Sequence, residues 1–339
     1  MTGFAGFDSA PPLPPMEAKL VDALPDGAGW QFEPKWDGFR CLVFRDGDEV
    51  VLQSKSGRPL DRYFPEVAAL VRSLPEPRLV LDGELIVRLD GAPAFDALQM
   101  RLHPAESRIR KLAAQTPACL MLFDCLMLGS KSLREAPLAA RRAALEAFHR
   151  RTKRTQLLLS PATSDRALAQ SWLGEAGGAL DGVVAKRLDE PYRPGERAML
   201  KVKLVRSADC VVGGFRYGAR ERLVGSLLLG LYDEAGRLDH VGFTSSIQAA
   251  DKPALTARLE RLIAPPGFTG KAPGAPSRWS GGRSAEWQPL RPELVVEVRY
   301  DQVTGGRFRH GTGLLRWRPD KAAAQCTVDQ IRPRADFRS

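Results

Sequence analysis

The sequence predicts an α+β fold in two units, a mixed unit of strands and helices followed by a small β-barrel. Three observations carry this expectation. At 339 residues the chain is long enough for two sizeable cores. Up to about residue 204, apolar strand-like runs alternate with stretches of helical period. Beyond about residue 205, short β-rich runs dominate and one helical stretch interrupts them, a pattern that suits an OB-fold.

Composition narrows the class. With 44% hydrophobic and 27% charged residues, the chain has the balance of a globular protein. No run of eighteen apolar residues occurs, so no membrane span is expected. The start lacks the basic and apolar regions of a secretory signal. Its prolines (Pro11, Pro12, Pro14, Pro15) suggest an extended leader over residues 1–15. Five scattered cysteines without a Cys-x-x-Cys pair point to reduced thiols in a cytoplasmic protein rather than to zinc or disulfides. The four histidines show no metal-ligand spacing. Of the net charge of +10, residues 205–339 contribute +7, from 21 Lys+Arg against 14 Asp+Glu, and arginine dominates there. Such a basic surface reads as a nucleic-acid footprint.

Taken in order, residues 16–34 lead through Leu20, Leu24, Trp30 and Phe32 to Glu33-Pro34-Lys35-Trp36-Asp37-Gly38-Phe39-Arg40. A lysine two residues before Asp-Gly is either a surface cation beside a turn or a desolvated amine fit for nucleophilic work. Strands are expected at 39–44 and 49–54, then a polar loop, Ser54-Lys55-Ser56-Gly57-Arg58, with two cations. It is a solvated loop or a phosphate grip, with Arg58 as the specific contact. A helix over 61–74 follows, with Tyr63, Val67, Leu70 and Leu74 at helical spacing and Pro75 and Pro77 ending it.

The apolar strand 78–87 carries Asp82 and Glu84 on one face, as the two-residue period of a strand requires. That pair suits a divalent cation or a ribose hydroxyl; a turn at Asp82-Gly83 is the plainer reading. Residues 95–113 read as a polar, arginine-rich helix, and 118–128 as a mid-sheet strand broken by Asp124, with Phe123 either core or open to a flat ligand. Helices are expected over 135–150 and 165–176, the second ended by Gly177-Gly178. Next come Asp181-Gly182-Val183-Val184-Ala185-Lys186-Arg187 and a strand with Lys201 and Lys203 on one face. Two lysines side by side repel, so that face is solvated or holds an anion.

In the second unit, strands are expected at 211–215, 226–232, 238–244 and 294–300, with a helix near 251–263 and a mobile Pro-, Gly- and Ser-rich loop over 264–286. The segment Arg307–Lys321 packs five Lys and Arg into fifteen residues.

Each motif alone is ambiguous. Their order resembles the covalent nucleotidyltransferase superfamily and, within it, ATP-dependent DNA ligases of the small bacterial ligase C and ligase D type, over about residues 16–330. The resemblance implies an adenylyltransferase domain of two antiparallel sheets with helices (16–204) and an OB-fold domain (205–339), with the boundary near 204–207. It implies ATP and Mg²⁺ or Mn²⁺ as cofactors and nicked double-stranded DNA as substrate.

By the same resemblance, Lys35 is the nucleophile that takes AMP from ATP, and neighbouring Lys201, Lys203 and metal favour its neutral amine. AMP then passes to the 5′-phosphate of a nick, and the 3′-hydroxyl displaces it. Glu33 reads the adenine amino group, Phe123 stacks on adenine, and Lys186 lies in the ATP site. Arg40 and Arg58 grip the ribose and 5′-phosphate. Glu84 meets the ribose or a metal, Asp181 helps hold a metal, and Lys201 and Lys203 hold the α-phosphate. Arg318, Asp320 and Lys321 orient the pyrophosphate leaving group. This chain departs from the family in having Asp181 where Glu is usual, and Met199 where an aromatic often precedes the Lys-x-Lys strand.

No large DNA-binding domain is expected ahead of Lys35, and no fused polymerase or phosphoesterase. A monomer is expected, binding DNA in a salt-sensitive way, used in bacterial repair and met there by a repair polymerase or end-binding protein. Two alternatives stay open at this point: an RNA ligase or capping-type nucleotidyltransferase, and a catalytically inactive nucleic-acid-binding scaffold.

Overall fold

The computed structural model describes all residues except 1–3, 5, 90, 176–179, 204, 205, 220, 275–285 and 333–339. The chain divides into two compact units, Met1–Leu204 and Val205–Ser339. The first two residues of the expected boundary, the Gly177-Gly178 helix stop and residues 275–285 of the expected loop 264–286 lie outside the described residues.

The first unit holds two sheets. In the larger, the strands run in the order Glu49–Ser54, Phe39–Asp46, Arg78–Leu89, Ala118–Leu128, Lys131–Ser132. Leu157–Leu159 adds to Ala118–Leu128 in parallel; the other pairs are antiparallel. The smaller sheet runs Ala18–Leu20, Met199–Val202, Leu180–Arg187, Trp30–Trp36, with its first pair parallel. The strand Phe39–Asp46 explains how its continuous apolar run is used. Cys41 and Val43 enter one core, under the helix Pro65–Arg72, while Leu42 and Phe44 enter a second core that reaches Met199 of the smaller sheet. A strand buried on both faces has no need of polar alternation.

That second core also takes Phe4, Phe7 and Leu13. The proline-rich leader therefore does not stand off from the domain. Leu13 donates its amide to Gln53 Oε1 and accepts from Gln53 Nε2, at 2.9 and 2.6 Å. The expected single helix over 95–113 is two, Phe95–Gln99 and Glu106–Gln115. Pro104 lies between them, and its ring has no place in a helix interior. Arg101, also between them, is fully buried on Glu66 at 2.7 Å.

Two glycines are set by close approach rather than by hairpin turns. Asp37-Gly38 is the crossing from the smaller to the larger sheet, and a Cβ on Gly38 would sit 2.2 Å from the Leu85 carbonyl oxygen. Gly182 has φ +140°, and its Cβ would meet the Val202 carbonyl oxygen at 2.0 Å. Only glycine lets these backbones come so near.

The second unit is a sheet in the order Leu238–Thr244, Val224–Tyr232, Arg206–Tyr217, Val295–Tyr300, Gly313–Trp317. Its two outer strands meet: Thr244 Oγ1 donates to the Thr312 carbonyl at 2.8 Å, and Thr312 N to the Phe243 carbonyl at 3.0 Å. The sheet thus closes into the expected small barrel, with the helix Lys252–Glu260 inserted and Pro253 in its first turn. The strand Gly313–Trp317 was concealed in sequence by its arginine and by the cations that flank it.

Candidate active site

A cleft in the first unit is lined by Glu33, Lys35, Arg40, Glu84, Phe123, Lys186 and Lys201. The strand Trp30–Trp36 pairs with Leu180–Arg187, placing Gly182 opposite Lys35 and Val184 opposite Glu33. Lys35 Nζ lies 2.6 Å from Asp181 Oδ2, and Lys203 Nζ lies 3.2 Å from the same oxygen. Lys201 loses basicity because it is partly buried and faces Lys35 and Lys203. Three lysines therefore share one region, two of them paired with the same carboxylate. On the same strand as Lys201, Leu200 and Val202 point into the core beneath.

At the inner end of the cleft, Glu33 and Lys186 form a buried pair at 2.8 Å, and Gln31 Nε2 donates to the same Glu33 oxygen at 2.7 Å. Lys186 also donates to the Phe123 carbonyl at 3.3 Å. The Phe123 ring is covered by the Arg40 guanidinium at 4.6 Å and the Lys186 ammonium at 4.7 Å. A base stacking on this ring would take the place of one of them.

Arg40 is held in a bidentate pair with Asp82, both contacts at 2.5 Å, and Tyr192 donates to Asp82 Oδ2 at 2.6 Å. Asp82 is thus fully used in fixing Arg40. Glu84, two residues on, faces the cleft, and burial raises its pKa to about 7 although Arg40 and Lys35 pull it down. A desolvated carboxylate of this kind suits a cation. Among the described residues no group of three or more His, Cys, Asp and Glu side chains is placed to hold a metal. Mg²⁺ is usually held by one or two carboxylates with waters and substrate phosphates; the carboxylates here are Glu84, in the cleft, and Asp181, paired with Lys35.

Arg58 is exposed and does not line the cleft; its neighbour Lys55 does, paired with Glu17 at 3.0 Å. Both cations sit on one five-residue loop, and spacing alone did not separate them. In the second unit, Arg318 and Lys321 converge on Asp209, at 2.8 and 2.7 Å, and Arg318 also pairs with Asp320 at 2.8 Å. The Arg318 hydrogen bond lowers the Asp320 pKa to about 2. Asp82 was expected beside a cation or ribose and is instead the partner of Arg40; Asp209 and Tyr192 were missed in sequence, and Asp209 lies in an apolar strand, where an acid has to have a partner, which was the available signal.

Comparison with known proteins shows the family. Residues 15–203 match the family model for the ATP dependent DNA ligase domain, and residues 220–321 that for the ATP dependent DNA ligase C terminal region. The chain belongs to the ATP-dependent DNA ligase family. It is 48% identical to DNA ligase C1 of Mycolicibacterium smegmatis, over 95% of this chain and 94% of that one. It is 44% identical to DNA ligase C of Mycobacterium tuberculosis, with the same coverage. A solved mycobacterial DNA ligase D complexed with ATP and MES matches 93% of this chain and 98% of its own, at 29% identity and a TM-score of 0.50. The fold is accordingly an adenylyltransferase domain followed by an OB-fold domain, and the protein is an ATP-dependent DNA ligase. Among the described residues no helix is long and apolar enough to cross a membrane.

Proposed function

We propose that this ligase seals nicks in double-stranded DNA through a Lys35–AMP intermediate and a DNA-adenylate, in bacterial DNA repair. The observation that carries the reading is the meeting of Lys35, Lys201 and Lys203 beside Asp181, in a cleft with Glu33 and Phe123 at its inner end. Lys35 Nζ attacks the α-phosphorus of ATP: a P–N bond forms, the bond to pyrophosphate oxygen breaks, and the Nζ proton passes to Asp181 or solvent. Lys201 and Lys203 hold the α-phosphate charge. Glu33 and Lys186 define the end that takes adenine, and Phe123 offers its ring to the base.

Mg²⁺ (or Mn²⁺), held by Glu84 and Asp181, would supply charge neutralisation at the phosphates. Lys55 and Arg40 fit the nick's 5′-phosphate; exposed Arg58 fits a more distant backbone phosphate. In the OB-fold unit, Arg318, Asp320 and Lys321 orient pyrophosphate during the first step. We assign nucleotidyl transfer to residues 16–204, with the leader 1–15 packed on that domain, and added DNA and pyrophosphate contacts to residues 205–339. The protein works in the cytoplasm as a monomer, with a repair polymerase or end-binding protein as partner. Sealing assays on nicked DNA and on nicked RNA, each with ATP, test this. Sealing of the DNA is expected; sealing of RNA alone would replace the reading with that of an RNA ligase.

A further inference from the structure

A second recess, lined by Trp36, Ile86, Arg88, Met121, His149 and Leu158, opens beside the catalytic cleft, and Trp36 borders both. The sheet register shows how the two are joined. Arg40 pairs with Glu84, Glu84 with Met121, and Met121 with Leu158, so four neighbouring strands carry one row of residues. The row begins charged, inside the cleft, and ends apolar, on the floor of the recess. Glu84 and Leu158 are two strand spacings apart, about 10 Å. Along the strand Arg78–Leu89 the same transition occurs: Glu84 faces the cleft, Ile86 the recess, and Arg88 its rim.

The wall is held rigid, and one arginine stands at the rim. Trp36 is pinned by its indole N–H, which donates to Ser160 Oγ at 3.0 Å. His149 is fixed through Nε2 to the Leu157 carbonyl at 2.9 Å. Arg88 is exposed and donates to the Gly91 carbonyl at 2.9 and 2.7 Å. Beyond His149 come Arg150, Arg151, Lys153 and Arg154, all exposed. An apolar floor with Arg88 at its rim matches a nucleic-acid strand whose sugar edges face inward and whose phosphates face out.

We propose that this recess seats the DNA strand that ends in the 3′-hydroxyl. The inference rests on the nick-sealing reading above. The two ends at a nick differ chemically: one is a dianionic phosphate, the other a neutral sugar hydroxyl. On the sheet, Lys55 lies at the end of Glu49–Ser54, on the opposite side of Glu84 from Met121 and Leu158. The cationic side suits the 5′-phosphate and the apolar side the 3′-terminal sugar, so that both ends reach the α-phosphate region from opposite directions. Arg88 then contacts a backbone phosphate upstream of the 3′ end.

The test uses the full chain and separates nucleotide from DNA steps. Leu158→Trp fills the recess, Leu158→Ala leaves it open, and Arg88→Ala removes the rim charge. Each is assayed for Lys35–AMP formation from ATP and for sealing of a nick whose 5′-phosphate is already adenylylated. Leu158→Trp is expected to slow sealing of the adenylylated nick at least about tenfold, and Arg88→Ala to raise the KM for DNA severalfold. Leu158→Ala should stay near wild type, and Lys35–AMP formation should stay within about twofold in all three. Sealing within twofold of wild type for both Leu158→Trp and Arg88→Ala overturns the proposal. If Leu158→Trp also loses Lys35–AMP, misfolding is the cause and the exposed Arg88→Ala decides. If wild type forms no Lys35–AMP, the nick-sealing reading has failed rather than the recess.

Discussion

Lys35 Nζ lies 2.6 Å from Asp181 Oδ2, on neighbouring antiparallel strands whose register sets Gly182 opposite Lys35. The shorter side chain of aspartate, where the family usually has glutamate, reaches the lysine directly. Asp181→Asn keeps the shape and removes the charge. It is expected to slow single-turnover Lys35–AMP formation by about 10²-fold, the usual size of a lost proton acceptor or metal contact. Asp181→Glu, which keeps the charge, should retain more than a tenth of the wild-type rate. An unchanged rate in Asp181→Asn would remove Asp181 from the chemistry.

Glu84 makes folding depend on pH. Burial raises its pKa from 4.5 to about 7. The folded state therefore binds the extra proton between these values, and stability falls as pH rises through that window. The side chain lines an open cleft, so the penalty is reduced by solvent to on the order of 1 kcal/mol. Glu84→Gln is expected to melt about 2–4 °C above wild type at pH 8 relative to the difference at pH 5. Melting curves that differ equally at both pH values would show that Glu84 is not the group concerned.

Asp124 interrupts the apolar strand Ala118–Leu128 and pairs with Arg141 through contacts of 2.7 and 3.1 Å, with both side chains almost fully buried. Removing one member leaves the other charge without a partner, at a cost of about 3–5 kcal/mol. Asp124→Ala should lose that much in denaturant unfolding of the full chain. A loss below about 1 kcal/mol would mean that water replaces the pair.

Asp209 gathers Arg318 and Lys321 in the OB-fold unit. If those cations orient pyrophosphate, Asp209→Ala should lower Lys35–AMP formation about tenfold, since it loosens both. Sealing of a nick that is already adenylylated should stay within about twofold, because pyrophosphate takes no part in it. Equal losses in both assays would point to misfolding or to a DNA contact instead.

How far the sequence carries depends on the range of each signal. The Lys201 and Lys203 face was legible because strand alternation is a local rule, and the core takes Leu200 and Val202 from the other face. The apolar run at 118–128 was legible as a central strand. The break at Pro104 was also local, but the charge pattern around it hid it. The barrel's closing strand, Gly313–Trp317, was concealed because half-exposed edge positions tolerate arginine. What could not be read were partnerships across long separations: Arg40 with Tyr192 through Asp82, or Lys55 rather than Arg58 in the cleft. Those depend on register between distant strands, which no single segment records.

The most direct test is to map the adduct. Purified protein is incubated with Mg²⁺ and ATP, GTP or NAD in separate reactions, denatured and analysed by mass spectrometry, with Lys35→Ala alongside. AMP on Lys35 from ATP alone, absent in Lys35→Ala and discharged by nicked DNA, is the expected result. No adduct, together with no ATP released when pyrophosphate is added to the purified protein, would contradict the account.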